Sequence, residues 1–322
     1  MMDKKFIEFV ANKLNIERQE LVEKDIILQG ILQELVKNVQ FKEKFAFKGG
    51  TCLIKCYFGY YRFSEDLDFS YINQNEFKGK SEKTIRKMLS QKIDLILGLL
   101  VKISNKFGLD FKADKTDSHY VEYGGGNKFV TFKIWYDSAI LNQKAFVKIQ
   151  INFVEKLFHL PIETAVNSII GESLAKEIKF IFREQSFLLE PVNIKAYLLN
   201  EILLEKVRAI ITRRGIKARD FVDIYLIQKE TKCDLRLLEK EIVEKIIFML
   251  KYEKYIQNIK NKPEQLEKEF VLGREEALLL KPLPADFKKF LEESKPLLKD
   301  IINKVLEKVK DAKSEIREAQ TK

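Results

Sequence analysis

Lys48-Gly49-Gly50-Thr51, followed after a short aromatic stretch by Arg62-Phe63-Ser64-Glu65-Asp66-Leu67-Asp68-Phe69, is the part of this chain whose reading decides its fold. Leu67, Phe69 and Tyr71 alternate with Asp66, Asp68 and Ser70, the period of a strand with one face in a core. Alternate residues of a strand share a face, so Asp66 and Asp68 project together, about 6.6 Å apart along the chain. Leu67 and Phe69 point the opposite way. Two neighbouring carboxylates on a wet surface repel each other unless a cation lies between them, and such hard oxygen ligands suit Mg²⁺. In two-metal phosphoryl chemistry a pair of this kind brackets ions roughly 3.5–4 Å apart, which steady the attacking and leaving oxygens. Upstream, Phe45-Ala46-Phe47-Lys48 forms a short apolar approach, and Gly49-Gly50-Thr51 opens a second helix. Glycines let the backbone come close to a phosphate, and a helix start offers it free N–H groups. Thr51 and Ser64 add hydroxyl donors, and Lys48 and Arg62 add charge. Taken singly, Gly-Gly is a turn and Asp-x-Asp a solvated strand face. Together, over an intact Leu/Phe core face, they read as a phosphate and metal site.

Outward from this stretch, the first 45 residues are helical, with Ile27, Ile31, Leu32 and Leu35 at helical spacing. Residues 81–107 form another helix, with Ser81 as its N-cap. Residues 109–153 are β-rich: Tyr120 to Tyr123, Phe129 to Tyr136 and Ala145 to Phe153, joined at Gly124-Gly125-Gly126-Asn127 and Leu141-Asn142-Gln143. Beyond residue 197 helices are expected over 199–213, 219–230, 234–258 and 296–318. The fold class is α/β (α+β): a mixed sheet in a catalytic core over 1–190, then a helical lobe over 191–322, divided at Glu190-Pro191.

The 322 residues are 46% hydrophobic and 33% charged, which excludes a disordered chain. Three Cys exclude a disulfide scaffold, and two distant His, 119 and 159, read as incidental and argue against a zinc site. No apolar run approaches the roughly 18 residues of a membrane helix, and the first residues lack a secretory h-region. A reducing, cytoplasmic setting with no membrane partner is expected. The net charge of +10 favours an anionic partner such as RNA or nucleotide phosphates. Cys52 and Cys56 read as packing residues. Tyr57-Phe58-Gly59-Tyr60-Tyr61 is aromatic enough to stack on bases, and packing beneath the loop to Asp66 is the preferred account.

The Gly-Gly and Asp-x-Asp run resembles the nucleotidyltransferase superfamily with a polymerase-β-type core, and more closely the AbiEii/AbiGii toxin family. A second block, Ile202, Lys206 and Ala209, is similar to the family's Ile-x-x-x-Lys-x-x-Ala helix. A third, Arg219-Asp220-Phe221-Val222-Asp223-Ile224-Tyr225, is similar to its Asp-x-x-Asp motif. The likeness covers about residues 40–230. It implies a Mg²⁺-dependent toxin of an abortive-infection pair, active in phage defence. Such an enzyme moves a nucleoside monophosphate from an NTP to an RNA acceptor, the tRNA 3′ end first, and releases pyrophosphate. A cognate antitoxin would be its partner. By the same resemblance Asp66 and Asp68 are metal ligands, and Gly49, Gly50 and Ser64 hold the triphosphate. Lys206 contacts a phosphate, and Asp220 orients a base or Lys206. Read by themselves, Lys206 equally pairs with Glu201 or Glu205, and Asp220 with Asp223 caps a helix start. Arg213, Arg214 and Lys217 form a basic cluster suited to an RNA backbone or simply to a solvated connection.

One departure stands out. Polymerase-β-type enzymes usually carry a third acidic residue on a neighbouring strand. Alternation over Phe146 to Phe153 places Lys148, Gln150 and Asn152 on one face, with Gln150 where an acid is expected. A glutamine has no negative charge and accepts no proton as a base. Two readings follow: transfer with two acidic ligands, or a catalytically weak or inactive protein that binds a nucleotide or RNA. Glu155 lies beyond the strand as a remote substitute.

Overall fold

Strands β1 (Phe45–Lys48) and β2 (Asp66–Tyr71) pair antiparallel, with Lys48 opposite Asp68 and Phe45 opposite Tyr71. They form the middle of a mixed sheet of order β3-β4-β5-β2-β1-β7-β6, completed by β3 (Val121–Gly124), β4 (Phe129–Asp137), β5 (Lys144–Asn152), β6 (Ile162–Val166) and β7 (Val192–Ala196). The computed structural model describes residues 3–250, 253–268 and 270–321, with side chains to residue 311. Phe47, Leu67, Phe69, Ile149 and Ile151 are fully buried on one face of the sheet, where alternation places them. Helices α1 (Lys4–Lys13), α2 (Gln19–Lys37) and α3 (Val39–Lys44) precede the sheet, and Phe41 of α3 packs edge-on against Phe69.

Between β1 and β2 the chain turns through a short α4 (Gly49–Cys52) that widens into a π-helical segment over Leu53–Phe58. A π-turn releases a carbonyl from the helical ladder. The Lys55 carbonyl accepts instead from the Asn167 N–H at 2.7 Å. The Lys55 side chain is wholly buried and donates to Asp25, Gln29 and Tyr60. Tyr57 donates to the Tyr197 carbonyl at 2.6 Å, so the aromatic stretch is packed as expected. Helix α5 (Glu82–Phe107) starts at its N-cap Ser81, whose Oγ accepts from the Thr84 N–H.

The chain divides into two compact units, but not at Glu190-Pro191. The first unit holds the chain to Glu155 and again Leu160–Tyr197; the second holds Lys156–His159 and the chain from Leu198. The expected division cut off β7, which follows Pro191 directly. A proline just ahead of a strand removes no ladder donor. Val192-Asn193-Ile194-Lys195-Ala196 therefore alternates and pairs with β6 and with β1, in the first unit. Helix α6 (Glu172–Ile181) also belongs there.

The second unit comprises α7 (Leu199–Thr212), α8 (Ala218–Thr231), α9 (Glu239–Met249), α10 (Glu253–Lys260), α11 (Lys262–Glu267) and α12 (Phe287–Thr321). Residues 251 and 252, inside the expected helix over 234–258, lie outside the described residues. Lys156–His159 joins this unit because Glu201 accepts from the N–H groups of Phe158 and His159 while pairing with buried Lys245. Helix α12 starts well before residue 296, since Pro296 lies inside it. A proline normally marks a helix start. Leu298, Ile301, Ile302 and Val305 give α12 a buried face. Among the described residues no helix is long and apolar enough to cross a membrane.

Candidate active site

Asp66 and Asp68 share the half-buried face of β2, with Leu67 and Phe69 fully buried behind them. The glycines approach this face closely. A Cβ built on Gly49 would lie 2.3 Å from Asp68 Oδ2, and one on Gly50 2.5 Å from Arg62 Nη2 and 3.1 Å from Ser64 Oγ. Gly49 also has φ +76°, a conformation that L side chains resist. Gly49, Gly50, Ser64, Arg62 and the two aspartates thus form one cradle. Replacing Gly49 by alanine is expected to cost about 1–2 kcal/mol from backbone strain and to displace Asp68. Thermal melts check this, with the melt expected to fall by a few degrees.

The other expected donors are spent within the protein. Thr51 is buried, and its Oγ donates to the Asp66 carbonyl, tying the start of α4 to the strand that carries the carboxylates. Arg62 is 1% exposed and donates to the Phe63 carbonyl at 2.8 Å. Lys48 is buried against Glu155, Nζ to Oε2 2.8 Å. Glu155 also accepts from Ser70 and from Tyr197 at 3.0 Å, and its Oε1 accepts from Asn152 at 3.2 Å. Thr51 and Lys48 therefore position the cradle. Glu155, set aside in the sequence as too remote, is the hub of this network. Its signal was confined to a carboxylate following the buried run of β5.

The register of the sheet sets Gln150 directly beside Asp68 and Lys148 beside Asp66. Gln150 Nε2 donates to Thr131 Oγ1 on β4 at 3.2 Å. The position where an acid was expected is thus an amide anchored to the next strand.

In the second unit, Lys206 bonds to Asp220 at 2.9 Å and Asp223 at 2.5 Å, rather than to Glu201 or Glu205. Asp220 also accepts from Arg213. Burial alone would push the Asp220 carboxyl up, but Lys206 and Arg213 hold it below its usual value. Arg213, Arg214 and Lys217 are exposed in the connection from α7 to α8. Buried Lys262 secures this connection by donating to the Arg213 and Gly215 carbonyls, at 2.7 and 3.2 Å. Its ammonium is lowered to about 8 by burial and by Arg213.

A family model described as the nucleotidyl transferase AbiEii toxin of type IV toxin–antitoxin systems matches residues 30–315. The chain belongs to the AbiEii toxin family. The match takes in both the Asp66/Asp68 cradle and the Lys206–Asp220 cluster, and runs well past the last motif legible in the sequence. No curated protein sequence matches. Among solved structures, JHP933 from Helicobacter pylori aligns over 92% of this chain and 97% of its own at 15% identity, TM-score 0.42. A second H. pylori structure, described as a candidate nucleotidyltransferase, aligns over 89% and 97% at 15% identity, TM-score 0.42.

Membership makes the chain a nucleotidyl transferase toxin with an antitoxin counterpart. The Asp66/Asp68 cradle can be tested for its fit to a metal. Among the described residues, no group of three or more His, Cys, Asp or Glu is placed to hold an ion. Two carboxylates fit Mg²⁺ all the same, because that ion takes one or two of them and fills its octahedron with waters and phosphate oxygens.

Proposed function

We propose that this chain is a Mg²⁺-dependent toxin of a phage-defence pair that transfers a nucleoside monophosphate from an NTP to the 3′ end of an RNA, tRNA first, in the cytoplasm. The observation that carries the proposal is the cradle, with two carboxylates on one strand face and a positive-φ glycine backed against one of them. Asp66 and Asp68 hold the ion, which when bound offsets charge on the phosphates. Gly49 and Gly50 let the backbone close on Asp68, Arg62 and Ser64; the triphosphate lies against this turn and Ser64, and Arg62 lends its field from the cradle wall. The acceptor 3′-hydroxyl attacks the α-phosphorus as its proton passes to a substrate phosphate oxygen or to water, the bond to the bridging oxygen breaks, and pyrophosphate leaves. Lys206 serves as a phosphate contact held by Asp220, by the family resemblance. Exposed Arg213, Arg214 and Lys217 supply charge for an RNA backbone.

The test incubates the protein with total RNA, Mg²⁺ and each α-³²P NTP in turn. Label in a tRNA-sized band for one NTP supports the transferase and names its donor. Nucleotide binding without label sinks it. Release of ADP or GDP instead of pyrophosphate marks a phosphotransferase.

The register of Gln150 against Asp68 favours one other reading, a nucleotide- or RNA-binding protein with weak or no turnover. Restoring the acid separates the two. Under the transferase reading, Gln150→Glu changes the rate by no more than about tenfold, because the acceptor proton already leaves by another route. Activity that appears only in Gln150→Glu assigns the native chain to binding.

A further inference from the structure

The sheet face that carries Asp66 and Asp68 continues sideways. Register sets Asp66 beside Lys148 and Lys148 beside Lys133; two residues further along, Phe146 lies opposite Trp135. Residues two apart share a face, so these side chains form one surface with the carboxylates. Behind it Val147, Ile149, Phe132 and Ile134 are fully buried, whereas Lys133, Trp135, Phe146 and Lys148 are half open to solvent.

The aromatic end of this surface is ordered. The exposed His119 ring lies on Trp135 with centroids 4.2 Å apart and planes within 2° of parallel. Trp135 Nε1 donates to the His119 carbonyl at 3.0 Å, which fixes the indole in that plane. Phe146 closes on Trp135 at 4.7 Å with its plane tilted by 51°, and the Lys148 ammonium sits 5.6 Å from the centre of the Phe146 ring. Sheet spacings put Trp135 roughly 12 Å from Asp66.

We infer that this surface receives the unpaired 3′-terminal nucleotides of the RNA acceptor. Their bases stack on the His119–Trp135 pair and lean on the Phe146 ring, and Lys148 takes a backbone phosphate on the way to Asp66 and Asp68. The inference rests on the reading that the acceptor is RNA. Flat rings beside ammonium groups suit single-stranded nucleic acid, since every base offers a π-face and every link a negative charge. Lys133 contributes less, because Glu122 already holds it at 2.5 Å. The sequence reading passed over His119 as incidental; its stacking on Trp135 gives it this role.

Trp135 is the chain's one tryptophan, so its fluorescence reports on this surface alone. The full chain carrying Asp66→Ala/Asp68→Ala is titrated with a single-stranded oligoribonucleotide, a blunt RNA duplex and Mg²⁺-NTP. The single strand is expected to quench Trp135, and the other two to leave it bright. His119→Ala and Phe146→Ala each weaken oligoribonucleotide binding about tenfold, His119→Phe restores it, and Lys148→Ala lowers the salt dependence by about one phosphate. In the active protein the same changes raise KM for RNA and spare KM for NTP. Quenching by NTP alone assigns the surface to the donor and overturns the inference, as does unchanged RNA binding in the variants. Quenching without transfer in the wild type sinks the transferase but leaves the RNA surface standing. Transfer without quenching does the reverse.

Discussion

Replacing Asp66 and Asp68 by alanine is expected to lower nucleotide transfer by about a thousandfold or more while the thermal midpoint stays within a few degrees. The rate follows from the ion that these residues are proposed to hold. Several kcal/mol of charge stabilisation in the transition state corresponds to three or more powers of ten. Stability is spared because the packing behind the site comes from Leu67 and Phe69, both untouched and fully buried. Single changes to asparagine refine the test, since each keeps the shape and removes one charge. Transfer that survives the double change, measured with labelled NTP and RNA, removes these carboxylates from the mechanism. A midpoint that falls by ten degrees would instead mean that the cradle had come apart.

The second large effect concerns Lys48, which the sequence presents as a phosphate contact and the structure places in a buried pair. Lys48→Met leaves Glu155 without its cation, although Ser70, Tyr197 and Asn152 still donate to it. Breaking a buried pair on one side costs about 3–5 kcal/mol, or roughly ten degrees of melting temperature for a unit of this size. The double change Lys48→Met/Glu155→Gln is expected to recover most of that loss, because the remaining amide carries no charge. Thermal melts of the two single variants and the double variant give the coupling directly. If Lys48→Met melts normally while KM for the nucleotide rises tenfold, Lys48 contacts phosphate after all.

The contrast between these residues shows what was legible. Asp66 and Asp68 were found because strand alternation is local: Leu67 and Phe69 announce which face is wet. Alternation on Phe146 to Phe153 put Gln150 on the face of Lys148 and Asn152, and the family resemblance supplied the neighbouring strand; the register sets it beside Asp68. Lys48 carried no such signal, since its partner lies 107 residues away. Thr51 likewise looks like any hydroxyl near a phosphate loop until its bond to the Asp66 carbonyl is seen. Lys206 had two acidic neighbours on its own helix and chose two on α8. Strand β7 was lost because Pro191 reads as a boundary.

What the sequence by itself determined, then, is the local frame of the candidate site. It specified a mixed sheet followed by helices, a carboxylate pair on a wet strand face, two glycines before it and an amide in place of a third acid. Each depends on residues within one element or one turn, where period and backbone freedom decide. Tertiary structure decided who partners whom: Glu155 for Lys48, Asp220 and Asp223 for Lys206, His119 for Trp135, and β7 for β1. Those choices depend on which distant groups burial brings together, because a buried charge or a flat ring takes the partner that packing supplies rather than the one nearest in the chain.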